Sequence, residues 1–283
     1  MAHIAEKHHH DSPTDSTEQF DVPNRSYRVI NRPYAGRLGG SQKFTISGTT
    51  AERQDLLQKV PDAAPYLRLR EALNLRPLRD VELWKQALIE GYATTFFVWA
   101  TAVPGLVTKN ILDGEDDTPL QKMTLHIISH VTLALVVALL VYATAPISGG
   151  HMNPMVTIGT FLNGLTSLPR AILYVIAQLI GSTIAAYLIK GMYGRELDRS
   201  LWGGCWVDSD VVSPGQAYLL EAVASTFLMY LLYRTALDPH YKHDYGSATG
   251  IVLVALSFTT VSFLSWSIIP GTHGGACALV LWL

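Results

Sequence analysis

Ten residues constrain this chain more than any others: Ser148-Gly149-Gly150-His151-Met152-Asn153-Pro154-Met155-Val156-Thr157. They place a helix start directly after a long apolar run. Asn is a preferred N-cap, and Pro is preorganised for the first helical position. A helix beginning at membrane depth needs protein or a water-filled cavity around its free N–H groups. The decapeptide therefore points to a pore.

The composition fits a membrane setting. Of 283 residues, 49% are hydrophobic and 16% charged, against about 25% charged in soluble domains. A net charge of −2 gives no electrostatic case for a nucleic-acid partner. Five apolar segments, at about 85–107, 124–145, 170–189, 217–237 and 248–269, approach the roughly 20 residues that cross a bilayer as a helix. Between the second and third lies Pro154 to Leu165, apolar but too short to span. It reads as a re-entrant half-helix, capped by Asn153 and ending near Asn163-Gly164.

Residues 1–80 are polar and charged, with scattered Pro and Gly, and read as a mostly disordered cytosolic tail. Residues 81–283 form the transmembrane domain. His8-His9-His10 has no partner ligands at metal spacing, so no metal or cofactor is expected. Cys205 and Cys277 are too few for a disulfide framework and are equally compatible with a bridge or two thiols. Basic residues at Arg68, Arg70, Arg76, Arg79 and Lys85, against the acidic 108–123 loop, place the N-terminus inside.

Two segments repeat one pattern. Glu90-Gly-Tyr-Ala-Thr94-Thr95-Phe96 matches Glu221-Ala-Val-Ala-Ser225-Thr226-Phe227. An intramembrane carboxylate is expensive and needs donors, so Glu90 and Glu221 read as buried carboxylates that each hold a polar loop. An odd number of spans between the repeats inverts the two halves, an arrangement that puts a transport site near the midplane. Glu90 precedes Asn153 by 63 residues, and the same count from Glu221 reaches position 284. Gly271-Thr272-His273-Gly274-Gly275-Ala276-Cys277 resembles the approach to the first motif, yet Ala278 stands where Asn would align. The expectation is a chain truncated before its second Asn-Pro and its sixth span. No nucleophile sits beside a base at catalytic spacing, so an enzyme is not expected. A proton-coupled transporter would use the two Glu residues differently, by titrating them.

With these motifs in view, the sequence resembles the major intrinsic protein family, the aquaporins and aquaglyceroporins. The resemblance rests on Glu90-x-x-x-Thr94, Ser148 to Pro154, Val156-Thr157, and Tyr174-x-x-Ala177-Gln178-x-x-Gly181. Trp202-Gly203-Gly204-Cys205 and Gly274-Gly275-Ala276-Cys277 also resemble the X intrinsic proteins of fungi and plants. The family implies an all-α inverted-repeat bundle, here with five spans and one half-helix. It implies a passive pore per subunit, a homotetramer in a lipid bilayer, and a multi-pass protein of the plasma membrane. Asn153 and Pro154 would form the pore motif, with Gly150 and His151 leading into it. Leu133, Trp266 and Gly275 fall on narrow-filter positions, and Leu281 stands where the family has a filter Arg. The family implies passage of water or small neutral solutes; a filter of Leu133, Trp266 and Gly275 would be less polar than a water-selective one and would suit glycerol, urea or hydrogen peroxide. The alternative is a non-conducting subunit that acts only by joining complete ones. Gln178 and Gly181 read mainly as helix-packing residues.

Overall fold

The computed structural model describes residues 34–38, 51, 54, 57, 60–64, 66–112, 118–194, 206–207, 210–238, 246–268 and 272–273. Its bundle is built from α1 (Val81–Leu112), α2 (Pro119–Thr144), the short α3 (Pro154–Leu162), α4 (Leu168–Tyr193), α5 (Pro214–Leu232) and α6 (Gly246–Ile268). α5 continues into a π-helical turn, Tyr233–Leu237. Single turns of helix at Pro61–Ala63, Leu69–Ala72 and Arg76–Arg79 precede α1.

The helix starts are written in capping chemistry. Thr118 and Ser213 each accept a backbone N–H three residues on, from Gln121 and Gln216, whose side chains reach back to the cap. Pro119 and Pro214 fill the first helical positions, where a missing N–H costs nothing. These caps start the second and fourth segments a few residues earlier than hydropathy alone predicts. α2, α4, and α5 with its π turn are long and apolar enough to cross a membrane, at 26, 26 and 24 residues. α6 keeps a shorter apolar stretch, Thr249–Ser265. α1 is 32 residues long and carries Glu82, Lys85 and Glu90 in its first turns. Three of the five expected spans thus meet length and hydropathy together. Their outer faces stay apolar: Leu139 is 68% exposed and Tyr230 63%. Helices that are hydrophobic all round suit lipid rather than water.

α1 and α4 make the closest approach. A Cβ on Gly91 would lie 2.8 Å from the Ala177 carbonyl oxygen, and one on Gly181 would overlap the Gly91 carbonyl. Thr95 Oγ1 sits 3.0 Å from both the Gly91 and Gly181 carbonyl oxygens and donates across this seam. Gly181→Ala is expected to force the helices apart and cost about 1–3 kcal/mol. Thermal unfolding in detergent would read this as a lowered Tm, and an unchanged Tm would contradict the seam.

The apolar core joins Val137 and Val141 of α2, Val156 of α3, Leu228 and Leu232 of α5, and Val254 and Phe258 of α6. α2 and α6 are also tied by His130 Nε2, 3.5 Å from Ser262 Oγ, and by the His126 ring, 4.6 Å from Phe263. A two-residue antiparallel pairing, Trp206–Val207 with Thr272–His273, draws the α4–α5 connection to the stretch after α6. Cys205 and Cys277 lie outside the described residues.

Part of the stretch expected to be a mostly disordered tail packs on the bundle: Tyr34, Ala35, Arg37, Leu38, Val60, Asp62 and Ala63 are buried against it. Composition averages over the tail and misses the turn Tyr34 to Leu38, most of whose partners lie more than 100 residues away.

Candidate functional site

After α2 the chain must reverse within a few residues to aim α3 back into the bundle. Gly149 and Gly150 take φ of 107° and 68°, which glycine adopts without steric penalty. Met152 takes φ of 51°, an uncommon conformation for a side-chain-bearing residue and one that the surroundings must hold. The holder is Glu90. Its Oε1 accepts from Ser148 Oγ at 2.6 Å and from the His151 amide at 3.0 Å. Its Oε2 accepts from the Met152 amide at 2.7 Å and from Gln178 Nε2 at 3.2 Å. The carboxylate is fully buried and has four donors, which is what such a charge requires. The Thr94 hydroxyl donates instead to the Glu90 backbone carbonyl, at 2.7 Å.

Asn153 then starts α3. Its Oδ1 accepts from the Met155 amide at 2.8 Å, and Pro154 takes the first helical position. Gly164, at φ 69°, ends the helix just past Asn163, as its sequence implies. Asn153 is 1% exposed, and its Nδ2 has no hydrogen-bond partner among the described residues. A buried, unpaired donor is costly. Here it sits beside the positive end of a half-helix.

His151 precedes the cap and is also buried. Its Nε2 lies 2.7 Å from the Gly36 carbonyl oxygen and so carries the proton it donates there. Nδ1 is then the acceptor, 3.1 Å from Thr157 Oγ1. Thr157 in turn accepts from Gln178 Nε2 at 3.0 Å. Gln178 therefore does more than pack a helix: it bridges Glu90 and Thr157 on the two sides of the loop.

The segment Tyr34–Leu38 lies directly on this loop. Leu38 donates its amide to the Gly149 carbonyl at 2.9 Å, and Arg37 Nη1 donates to the Pro146 carbonyl. The Tyr34 hydroxyl bonds Thr166 Oγ1 at 2.6 Å and lies 3.3 Å from His151 Nε2. Burial raises the Tyr34 phenol well above its usual 10, so it stays neutral at physiological pH. Arg170, at the start of α4, stacks over the Tyr34 ring at 4.1 Å and pairs with Asp62 Oδ2 at 2.6 Å. It also donates to Gln86 and to Tyr174, whose hydroxyl donates to the Ser148 carbonyl at 2.5 Å.

The structure thus brings Glu90, Gly150, His151, Asn153 and Pro154 together. Leu133 is buried in the shared core of α2, α5 and α6. The side chain of Trp266 and all of Gly275 lie outside the described residues. Glu221 is partly buried, and its Oε2 has no hydrogen-bond partner among the described residues. Segment 274–278, which the repeat assigns to it, also lies outside them. Tyr34, Asp62 and Arg170 escaped the sequence reading. The available signals were a lone Arg opening an apolar helix and a compact Tyr-Ala-Gly-Arg turn in a polar tail.

Residues 77–279 match the family model of the major intrinsic protein. The chain is 36% identical over 202 residues to the probable aquaporin TIP1-1 of Oryza sativa subsp. japonica, covering 70% of this chain and 76% of that one. It is 29% identical over 251 residues to aquaporin PIP1-2 of Musa acuminata, covering 85% and 92%. Its fold is similar to that of the aquaglyceroporin from Plasmodium falciparum, with a TM-score of 0.52 at 16% identity, covering 67% of this chain and 75% of that one.

Proposed function

The chain belongs to the major intrinsic protein family, and on that premise we propose that its Asn153 motif forms one half of a passive pore for water and small neutral solutes. As a member of that family it is an integral, multi-pass membrane channel and not an enzyme. The observation that carries the proposal is the buried Asn153 Nδ2, which has no acceptor among the described residues. A passing water, glycerol, urea or hydrogen peroxide molecule supplies an oxygen acceptor at that point. The positive end of α3 beside it disfavours cations. His151 and the carbonyls of the 149–151 turn would line the approach, and Leu133 would lie at the narrow part of the path. The basic residues before α1 set the N-terminus on the cytosolic side. The family resemblance supports a homotetramer with one pore per subunit.

A second reading is a subunit that associates without conducting. It is favoured by Ala278 and Leu281, which stand where the second half-pore would carry its Asn and Arg. Stopped-flow swelling of proteoliposomes holding the full chain separates the two. The channel reading expects water and glycerol flux above that of protein-free vesicles, unchanged when a proton gradient is collapsed. Flux equal to that of protein-free vesicles would select the non-conducting reading.

A further inference from the structure

We propose that Tyr34–Leu38 is a strap that closes one half of this pore, and that Arg170 is the clasp holding it there through Asp62. The proposal rests on the channel reading above. Three contacts seat the strap on the turn that leads to Asn153, and a fourth ties it to the turn after α3. Leu38 donates to the Gly149 carbonyl, Arg37 donates to Pro146, the Gly36 carbonyl accepts from His151, and the Tyr34 hydroxyl bonds Thr166. The carbonyls of such a turn are the acceptors a passing water would use. Here the Gly149 carbonyl is taken by the chain's own amide. Ala35 and Leu38 also join the core cluster of Met152 and Val156, and every residue from 34 to 38 is buried. A solute passes only while the strap is lifted from these positions, so the intact chain conducts at a reduced level.

The strap has little structure of its own to keep it there. Its five described residues form only turns, and one backbone bond, Ala35 amide to Asp62 carbonyl at 2.7 Å, joins it to the next buried piece of the tail. Asp62 is fixed by Ser167 Oγ at 2.9 Å and by Arg170 Nε at 2.6 Å. The same guanidinium stacks on Tyr34 at 4.1 Å. One buried cation therefore holds the strap directly by the Tyr34 ring face and indirectly by a charge-assisted bond to Asp62, whose carbonyl accepts from Ala35. Through Tyr174 it also reaches the Ser148 carbonyl, beside the turn the strap covers. Arg170 acts on conduction only through these partners and is a positioning residue.

The test compares the full chain with Asp62→Asn in phosphatidylcholine proteoliposomes. Hydrogen exchange is read at the Ala35 and Leu38 amides, and water flux by swelling. The amides of His151 and Met152, held by Glu90, report that the pore loop is intact. The expected result is exchange at Ala35 and Leu38 at least tenfold faster, protection at 151–152 unchanged, and water flux raised at least threefold. Should Asp62→Asn fail to fold around an unpaired Arg170, the neutral pair Asp62→Asn/Arg170→Gln carries the same expectation. Unchanged strap exchange would overturn the clasp. Faster exchange with unchanged flux, in a chain that conducts, would overturn the strap as a barrier. Faster exchange with no flux in any variant would uphold the clasp and remove the channel reading instead.

Discussion

Replacing Glu90 by alanine is expected to cost on the order of 3–6 kcal/mol and to collapse the turn before Asn153. The estimate follows from what the carboxylate holds. Two buried backbone amides, His151 and Met152, lose their acceptor together with Ser148 Oγ and Gln178 Nε2. Each buried donor left unpaired costs about 1–3 kcal/mol. Set against a total stability of about 5–15 kcal/mol, that loss is enough to unfold the pore loop while the spans persist. Met152 adds to the effect, because its positive φ of 51° has no other holder for its amide among the described bonds. Glu90→Gln should fall between wild type and alanine, since an amide offers one acceptor oxygen where the carboxylate offers two. Chemical denaturation in detergent, with exchange at the 151 and 152 amides, checks both. A Glu90→Ala variant within 1 kcal/mol of wild type, its loop amides still protected, would contradict this role.

Arg170→Met is the second large effect, at about 3–5 kcal/mol. Its guanidinium and the Asp62 carboxylate are almost wholly buried, at 3% and 4% side-chain exposure. Removing one partner leaves the other charge in a low-dielectric interior without compensation. Gln86 and Tyr174 lose their donor at the same time. The double replacement Arg170→Met/Asp62→Leu should recover most of the loss, because a buried ion pair is worth little more than well-packed apolar groups of similar volume. The cycle of single and double variants, measured by thermal unfolding, reads the coupling directly. Single and double variants of equal stability would show that the pair is not coupled.

Much of the architecture was legible because its signals are local. Asn153-Pro154 is a cap followed by a first-turn Pro. Thr118-Pro119 and Ser213-Pro214 are the same device, but a reading by hydropathy passes over them and starts α2 and α5 a few residues late. Glu90 stood out because a lone carboxylate in an apolar helix must have partners. What the sequence withheld depends on contacts across long separations. Gln178 is 88 residues from Glu90 and yet completes its shell, which no helical periodicity reveals. Asp62 and Arg170 are 108 residues apart; each looks like an ordinary surface charge until the fold buries both. Tyr34 to Leu38 lies in a stretch whose average polarity hides five buried residues. The second half-pore stays a matter of sequence: Trp266's side chain and Gly275 fall outside the described residues.

The most direct test of the pore is Asn153→Asp. Aspartate keeps the N-cap, because a carboxylate oxygen accepts the Met155 amide as Oδ1 does. It removes only the Nδ2 donor and adds a charge where a neutral solute would pass. Proteoliposome swelling with water and glycerol should fall at least tenfold relative to the full chain, while hydrogen exchange at the Met155 amide stays unchanged. Flux equal to that of the unaltered chain, with the cap intact, would contradict a path past Asn153.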